Sequence, residues 1–142
     1  MPQPPALQAH KDKPMNNPKE NPYARLERIF HEPGRLTIMS DLLGAPNGLT
    51  FTELKKTSNL TDGNLSRHLK TLEKANAVTI KKNFVKNRPQ TTVALSKRGR
   101  KDFLAYLQAL EAVLLDAASK VGPDEAQQGL STSIFGIQLT KA

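Results

Sequence analysis

Two adjacent stretches, residues 60–75 and 78–95, limit the fold more than any other part of this chain. The first reads LTDGNLSRHLKTLEKA. Thr61 is suited to cap a helix, and Asp62 brings negative charge to its first turn, where the helix dipole favours it. On a helical wheel Leu69 and Leu72 fall within about 40° of Leu65, which makes one buried stripe. Gly63, Arg67, Lys70 and Lys74 lie roughly opposite, flanked by Asn64, Ser66 and Thr71. His68 falls at the margin of the apolar stripe and reads as a packing or hydrogen-bonding residue, not a metal ligand. Asn76 tolerates the left-handed conformation and is expected to end the helix. In the second stretch Val78 and Ile80 alternate with Thr79 and Lys81, and Thr91, Val93 and Leu95 alternate on the return. Asn83–Pro89 is expected to turn the chain. With the helix expected just before them, these pieces spell a helix-turn-helix followed by a basic wing, the outline of a DNA-reading domain.

Charge follows the same boundaries. Residues 61–102 hold eleven Lys/Arg and three Asp/Glu, while the rest of the chain holds ten of each. The whole formal excess of +8 therefore lies on one hairpin and its flanking helices. A footprint that localised points to a polyanionic partner more strongly than net charge alone.

Composition excludes several classes. The chain has 142 residues and 37% hydrophobic content, enough for one small core with tails. With no cysteine, disulfides, zinc ribbons and thiol sensing drop out. His10, His31 and His68 are scattered, so no metal site is expected. No apolar run approaches the ~20 residues of a membrane span, and the Pro-, Gln- and Lys-rich start lacks the apolar segment of a secretory signal. A cytoplasmic or nucleoid-associated protein is the expectation. No phosphate-cradling glycine loop, nucleophile elbow, metal-ligand spacing or carboxylate pair is evident. We therefore expect no enzyme, no catalytic residue, no cofactor and no metal.

Residues 1–21 hold five of the ten prolines and few large apolar side chains, and read as a disordered Pro-rich tail. Residues 22–121 read as the folded domain with its C-terminal helix, and residues 122–142 as an arm of unassigned order. Asn21 and Pro22 start a short amphipathic helix through Leu26, Ile29 and Phe30. Pro33 opens a second helix carrying Leu36, Met39, Leu42 and Leu43, which the run Gly44–Gly48 ends. Leu49-Thr50-Phe51 reads as a short strand or extended lead-in. Thr50 and Glu53 fit a capping box for a helix to about Thr57, and Ser58–Leu60 is the turn. Ser96 caps a last helix running to about Lys120, which Gly122-Pro123 stops. The predicted fold class is mostly α with a small antiparallel hairpin, that is, α+β.

The candidate site follows. On the recognition helix, Gly63, Asn64, Ser66, Arg67, Lys70 and Lys74 face outward. Arg forks onto guanine, Asn pairs with adenine, and Ser or Lys holds phosphate. Gly63 suits close approach to a DNA backbone. On the wing, Lys81, Lys82, Lys86, Asn87 and Arg88 are the candidates, with Arg suited to a narrow minor groove. Phe84 and Val85 are expected to pack the hairpin's base. Thr50, Thr52, Lys97 and Arg98 are further candidates. Four cations crowd the run from Lys97 to Lys101, a first helical turn that the dipole makes unfavourable for them. The plainer readings are a solvated helix face, lysines that guard an exposed strand edge, and drift at a solvated turn. Along the last helix Phe103, Leu107, Leu110 and Leu114 step by four, three and four, like a coiled-coil seam, with Leu104, Tyr106, Val113 and Leu115 widening the surface. Self-association is the expected use; the alternative is burial within the same subunit.

The pieces FHEPGRLTIMSDL, LTFTELKKTSNLTDGNLSRHLKTLEKANAVTI and KKNFVKNRPQTTVALSKRGRKDF, with the long helix after them, keep a familiar order and spacing. From about Tyr23 to Leu115 the chain resembles the winged-helix domain of small MarR/ArsR-type bacterial transcriptional regulators. The resemblance implies a homodimer, a recognition helix at Thr61–Lys74 in the major groove and a wing at Lys81–Gln90 on the adjacent minor groove. Asn76-Ala77 replaces a usual glycine–aromatic pair. Lys86 stands where the wing often has glycine, and Lys97 and Arg98 where acids are usual. No effector-sensing signature is matched. The sequence thus leads to a dimeric, sequence-specific regulator bound to double-stranded DNA. Its rivals are a winged-helix module for an acidic protein partner and a sequence-nonspecific nucleoid protein.

Overall fold

The structure, a computed structural model, describes residues 21–123. The expected tail and arm lie outside them, apart from Asn21 at one end and Gly122 and Pro123 at the other. The described residues fall into two compact units: Glu27–Tyr106, and the stretches before and after it.

Within Glu27–Tyr106 the order is α1 (Pro33–Leu43), β1 (Leu49–Thr50), α2 (Phe51–Ser58), α3 (Asp62–Lys74), β2 (Val78–Val85), β3 (Arg88–Leu95) and the start of α4 (Lys97–Ser119). Local chemistry sets nearly every boundary. Pro33 starts α1, and the Glu32 carboxylate accepts the Arg35 backbone N–H at 2.8 Å. Thr50 and Glu53 close a reciprocal capping box on α2. Thr61 Oγ1 accepts the Asn64 N–H at 3.1 Å and caps α3. At the far end of α3, Asn76 takes φ +61. There the Ala77 N–H donates to Leu72 O and the Asn76 N–H to Glu73 O, a Schellman closure.

The three strands form an antiparallel sheet in the order β1-β3-β2. Val78 pairs with Leu95, Ile80 with Val93, and Lys82 with Thr91. Ile38, Met39 and Leu42 of α1, Leu54 of α2, and Leu65, Leu69 and Leu72 of α3 are buried, as are Val78 and Val93 of the sheet. The leucine stripe of α3 is therefore core, and its polar face is left outside. Gly48, at φ +91, lets the chain turn into β1, where a Cβ would stand 2.6 Å from Val93 O.

Three sequence expectations for Glu27–Tyr106 need correction. The hairpin turn is not Asn83–Pro89. The strands pair out to Val85 and Arg88, and only Lys86 and Asn87 turn, at φ +54 and +64. Two consecutive left-handed residues match the twist of the flanking strands, so the ladder persists to the tip. Phe84 and Val85 accordingly sit at that tip, 77% and 44% exposed, and do not pack the base. Phe103 belongs to its own subunit's core. It is fully buried, edge-on to Phe30 at 5.3 Å and stacked with Tyr106 at 5.8 Å, so it is unavailable to a partner. The Tyr106 hydroxyl meets His31 Nδ1 at 2.7 Å, and burial raises the phenol's pKa.

In the second unit the expected N-terminal helix shrinks to one 3₁₀ turn, Pro22–Arg25, because Leu26 leaves helical geometry at φ −80, ψ 87. Asn21 caps it as expected, accepting the Tyr23 N–H at 3.1 Å. The Tyr23 hydroxyl donates to Asp116 Oδ2 at 2.8 Å, and Lys120 reaches the same oxygen at 3.1 Å. Those bonds hold the Asp116 carboxyl below its usual pKa and raise that of Tyr23.

Candidate nucleic-acid interface

Because Leu65, Leu69 and Leu72 turn inward, α3 must present Gly63, Asn64, Ser66, Arg67, Lys70 and Lys74 outward, and all six are exposed. Around Gly63 no protein atom lies within 4 Å of where a Cβ would stand. Asn64 Oδ1 accepts from Arg67 Nη2 at 2.9 Å, one turn apart. This bond aligns a guanidinium and an amide at the solvent face, the two side chains suited to forked contacts with base edges. Lys55 of α2 pairs with Asp62 at 2.9 Å and offsets the only acid in the first turn of α3.

The wing's candidates Lys81, Lys82, Lys86, Asn87 and Arg88 are also exposed. Strand alternation separates them. Lys82 shares a face with Val78 and Ile80, whereas Lys81 lies on the opposite face with Thr79. Two open grooves, each of about 480 Å³, follow. One is lined by Ser66 and Lys70 of α3 together with Ile80, Lys82 and Thr91 of the hairpin. It joins the polar face of α3 and the hairpin into one surface. The other brings Thr50 and Thr52 together with Val85, Arg88 and Gln90. Here the Thr50 side chain is already committed to capping α2, which leaves Thr52 the freer hydroxyl.

Lys97 and Arg98 are exposed at the start of α4. Arg98 Nε lies 3.4 Å from Asp102, and Lys97 lines a smaller groove with Leu95 and Arg100. Neither groove lined by the wing's cations includes them. Among the described residues, no group of three or more His, Asp or Glu could hold a metal, and no helix is long and apolar enough to cross a membrane.

Residues 35–114 match the winged helix DNA-binding domain family, more than half of the chain. The chain belongs to that family. An uncharacterized protein from Methanocaldococcus jannaschii is 39% identical over 80 residues, which is 56% of this chain and 86% of that protein. A solved transcriptional regulator homologue from Pyrococcus horikoshii is 32% identical, covers 64% of this chain and 89% of its own, and superposes with a TM-score of 0.60. The solved structure of MarR, at 15% identity, covers 82% of both chains with a TM-score of 0.61. The winged helix here is thus MarR-like in fold, with four helices and a three-stranded antiparallel sheet.

Sequence reasoning included Gln90 in the wing but missed the lining residue Thr91 and the partners of His68. His68 is buried on α3, with Arg35 Nη1 at 3.3 Å from Nδ1 and Glu32 Oε1 at 3.8 Å from Nε2. Gly34 makes room for that ring, since a Cβ there would come within 2.7 Å of Nε2. The sequence signal was present, a Glu-Pro-Gly-Arg turn and a histidine at the stripe's margin. Their 33-residue separation hid the contact.

Proposed function

We propose that this chain is a dimeric, sequence-specific DNA-binding regulator of transcription, acting in the cytoplasm without catalysis. The α3 face reads the major groove, and the wing holds the adjacent minor groove. One observation carries the reading: Ser66 and Lys70 of α3 and Lys82 of β2 line a single groove, so the base-reading helix and the basic hairpin form one continuous surface. The exposed guanidinium–amide pair of Arg67 and Asn64 beside the localised +8 charge supports it, since this pair suits base edges. Family membership and the P. horikoshii regulator homologue support the same assignment.

The dimer would form through Leu107, Leu110 and Leu114, with Phe103 removed from the seam. Leu114 is 45% exposed, and Leu107 and Leu110 are partly so. Two-fold pairing would place two reading helices on one palindromic site.

Fluorescence anisotropy on duplexes of varied sequence tests the proposal. A specificity ratio well above one is expected on a selected site. With roughly six to ten phosphates held per dimer, log K should fall against log salt with a slope of about −5 to −9. Uniform binding would favour the architectural rival, and no binding would favour the protein-binding one.

A further inference from the structure

Phe84 is the most exposed large apolar side chain among the described residues, at 77%. Its cross-strand partner Pro89 covers little of it. Packing therefore does not account for an aromatic ring at this position. Its surroundings are cationic. No acid occurs between Glu73 and Asp102, and Lys82, Lys86 and Arg88 lie within four residues of Phe84. Alternation puts Phe84 on the same face of β2 as Ile80 and Lys82, two residues beyond Lys82 and so about 7 Å further along the strand. That is the face whose groove is shared with Ser66 and Lys70. The paired strands and the tight Lys86-Asn87 turn hold the ring on an ordered ladder, so little conformational freedom is lost on binding.

We propose that Phe84 is an apolar wedge of the wing, which enters the DNA groove between phosphates held by Lys82 and Lys86 and stacks at a base step. The proposal rests on the DNA-binding reading above. The partner is duplex DNA, because Lys82 on the same face and Lys86 at the turn favour a polyanion, and duplex DNA has apolar faces inside it. Wedging favours an easily unstacked pyrimidine–purine step and bends the duplex. Sequence preference then extends to a position that α3 does not reach.

The chain contains no tryptophan, so Phe84→Trp in the full chain gives a single reporter at this site. On saturation with a duplex bearing the preferred site, its emission should be quenched and its access to acrylamide reduced. Phe84→Ala should bind about ten- to a hundred-fold more weakly. Its thermal midpoint should be unchanged, because the ring packs on little. The salt slope should also be unchanged, because no charge is lost. Bending measured by end-to-end energy transfer should decrease. If the wild type binds DNA while Phe84→Ala binds equally well and the Trp stays as quenchable as in free protein, the wedge is overturned and the regulator reading stands. Shielding of the Trp without DNA, lost on dilution to monomer, would assign the ring to a protein contact and overturn the wedge. If the wild type binds no duplex, the regulator reading falls first and the wedge falls with it.

Discussion

Gly99 lies directly against the carbonyl of Ala77: a Cβ at residue 99 would stand 1.9 Å from that oxygen. The contact ties the first turn of α4 to the loop that leaves α3. Ser96 completes it, donating from Oγ to Asn76 O at 2.6 Å and accepting the Gly99 N–H at 2.8 Å. The Ser96 N–H also donates to Ala77 O at 3.1 Å. The angle at which α3 is presented is thus set partly from α4.

Glycine within a helix ordinarily costs stability against alanine, about 0.5–1 kcal/mol. At residue 99 the sign should reverse. Gly99→Ala forces backbone apart and should destabilise by about 1–3 kcal/mol, seen as a lower thermal midpoint. Gly63→Ala meets no atom and should hold or raise the midpoint, yet weaken DNA binding if that backbone approaches a phosphate. Equal midpoints for wild type and Gly99→Ala would show that the close approach to Ala77 does not constrain residue 99.

Arg67 and Lys82 should separate reading from holding. Arg67→Ala should cost about 1–3 kcal/mol on the preferred site and flatten base preference. Lys82→Ala should weaken all duplexes alike and reduce the salt slope by about one. Equal weakening of random and preferred DNA by Arg67→Ala would show that Arg67 does not read bases.

Leu114 offers the cleanest test of pairing. It is half exposed, so Leu114→Glu should leave the fold intact while placing a charge in the seam, where burial is unfavourable. Sedimentation should shift from dimer to monomer, and affinity for a two-fold site should drop. A wild type already monomeric at tens of micromolar would refute the dimer.

Glu32 should impose an acid limit on stability. Its capping bond from the Arg35 N–H holds its pKa below the ordinary 4.5, helped by His68 and the Arg35 charge and opposed by partial burial. A carboxylate with a depressed folded pKa contributes stability that is present above the ordinary value and is lost as pH falls through the folded one. The thermal midpoint should therefore fall below about pH 4.5, and Glu32→Gln should flatten that limb. An unchanged acid limb in Glu32→Gln would place the dependence elsewhere.

The chain's local signals were sufficient for the ends of α2 and α3 and for the start of α4. Thr50 with Glu53, Thr61, Asn76 and Ser96 each act as expected, because a cap binds backbone groups only two or three residues away. The leucine stripe likewise assigns the inward face of α3, and so its outward residues, from periodicity alone. Other features depend on partners far along the chain. Phe103 and Leu114 occupy one apolar pattern, yet Phe103 is claimed by Phe30 and Tyr106 while Leu114 stays half exposed. Phe84 reads as packing the hairpin's base and is exposed because the ladder carries it to the tip. Short-range hydrogen bonding and periodicity are properties of a few consecutive residues. Burial, register and close approach are properties of residues tens of positions apart, and only folding brings those together.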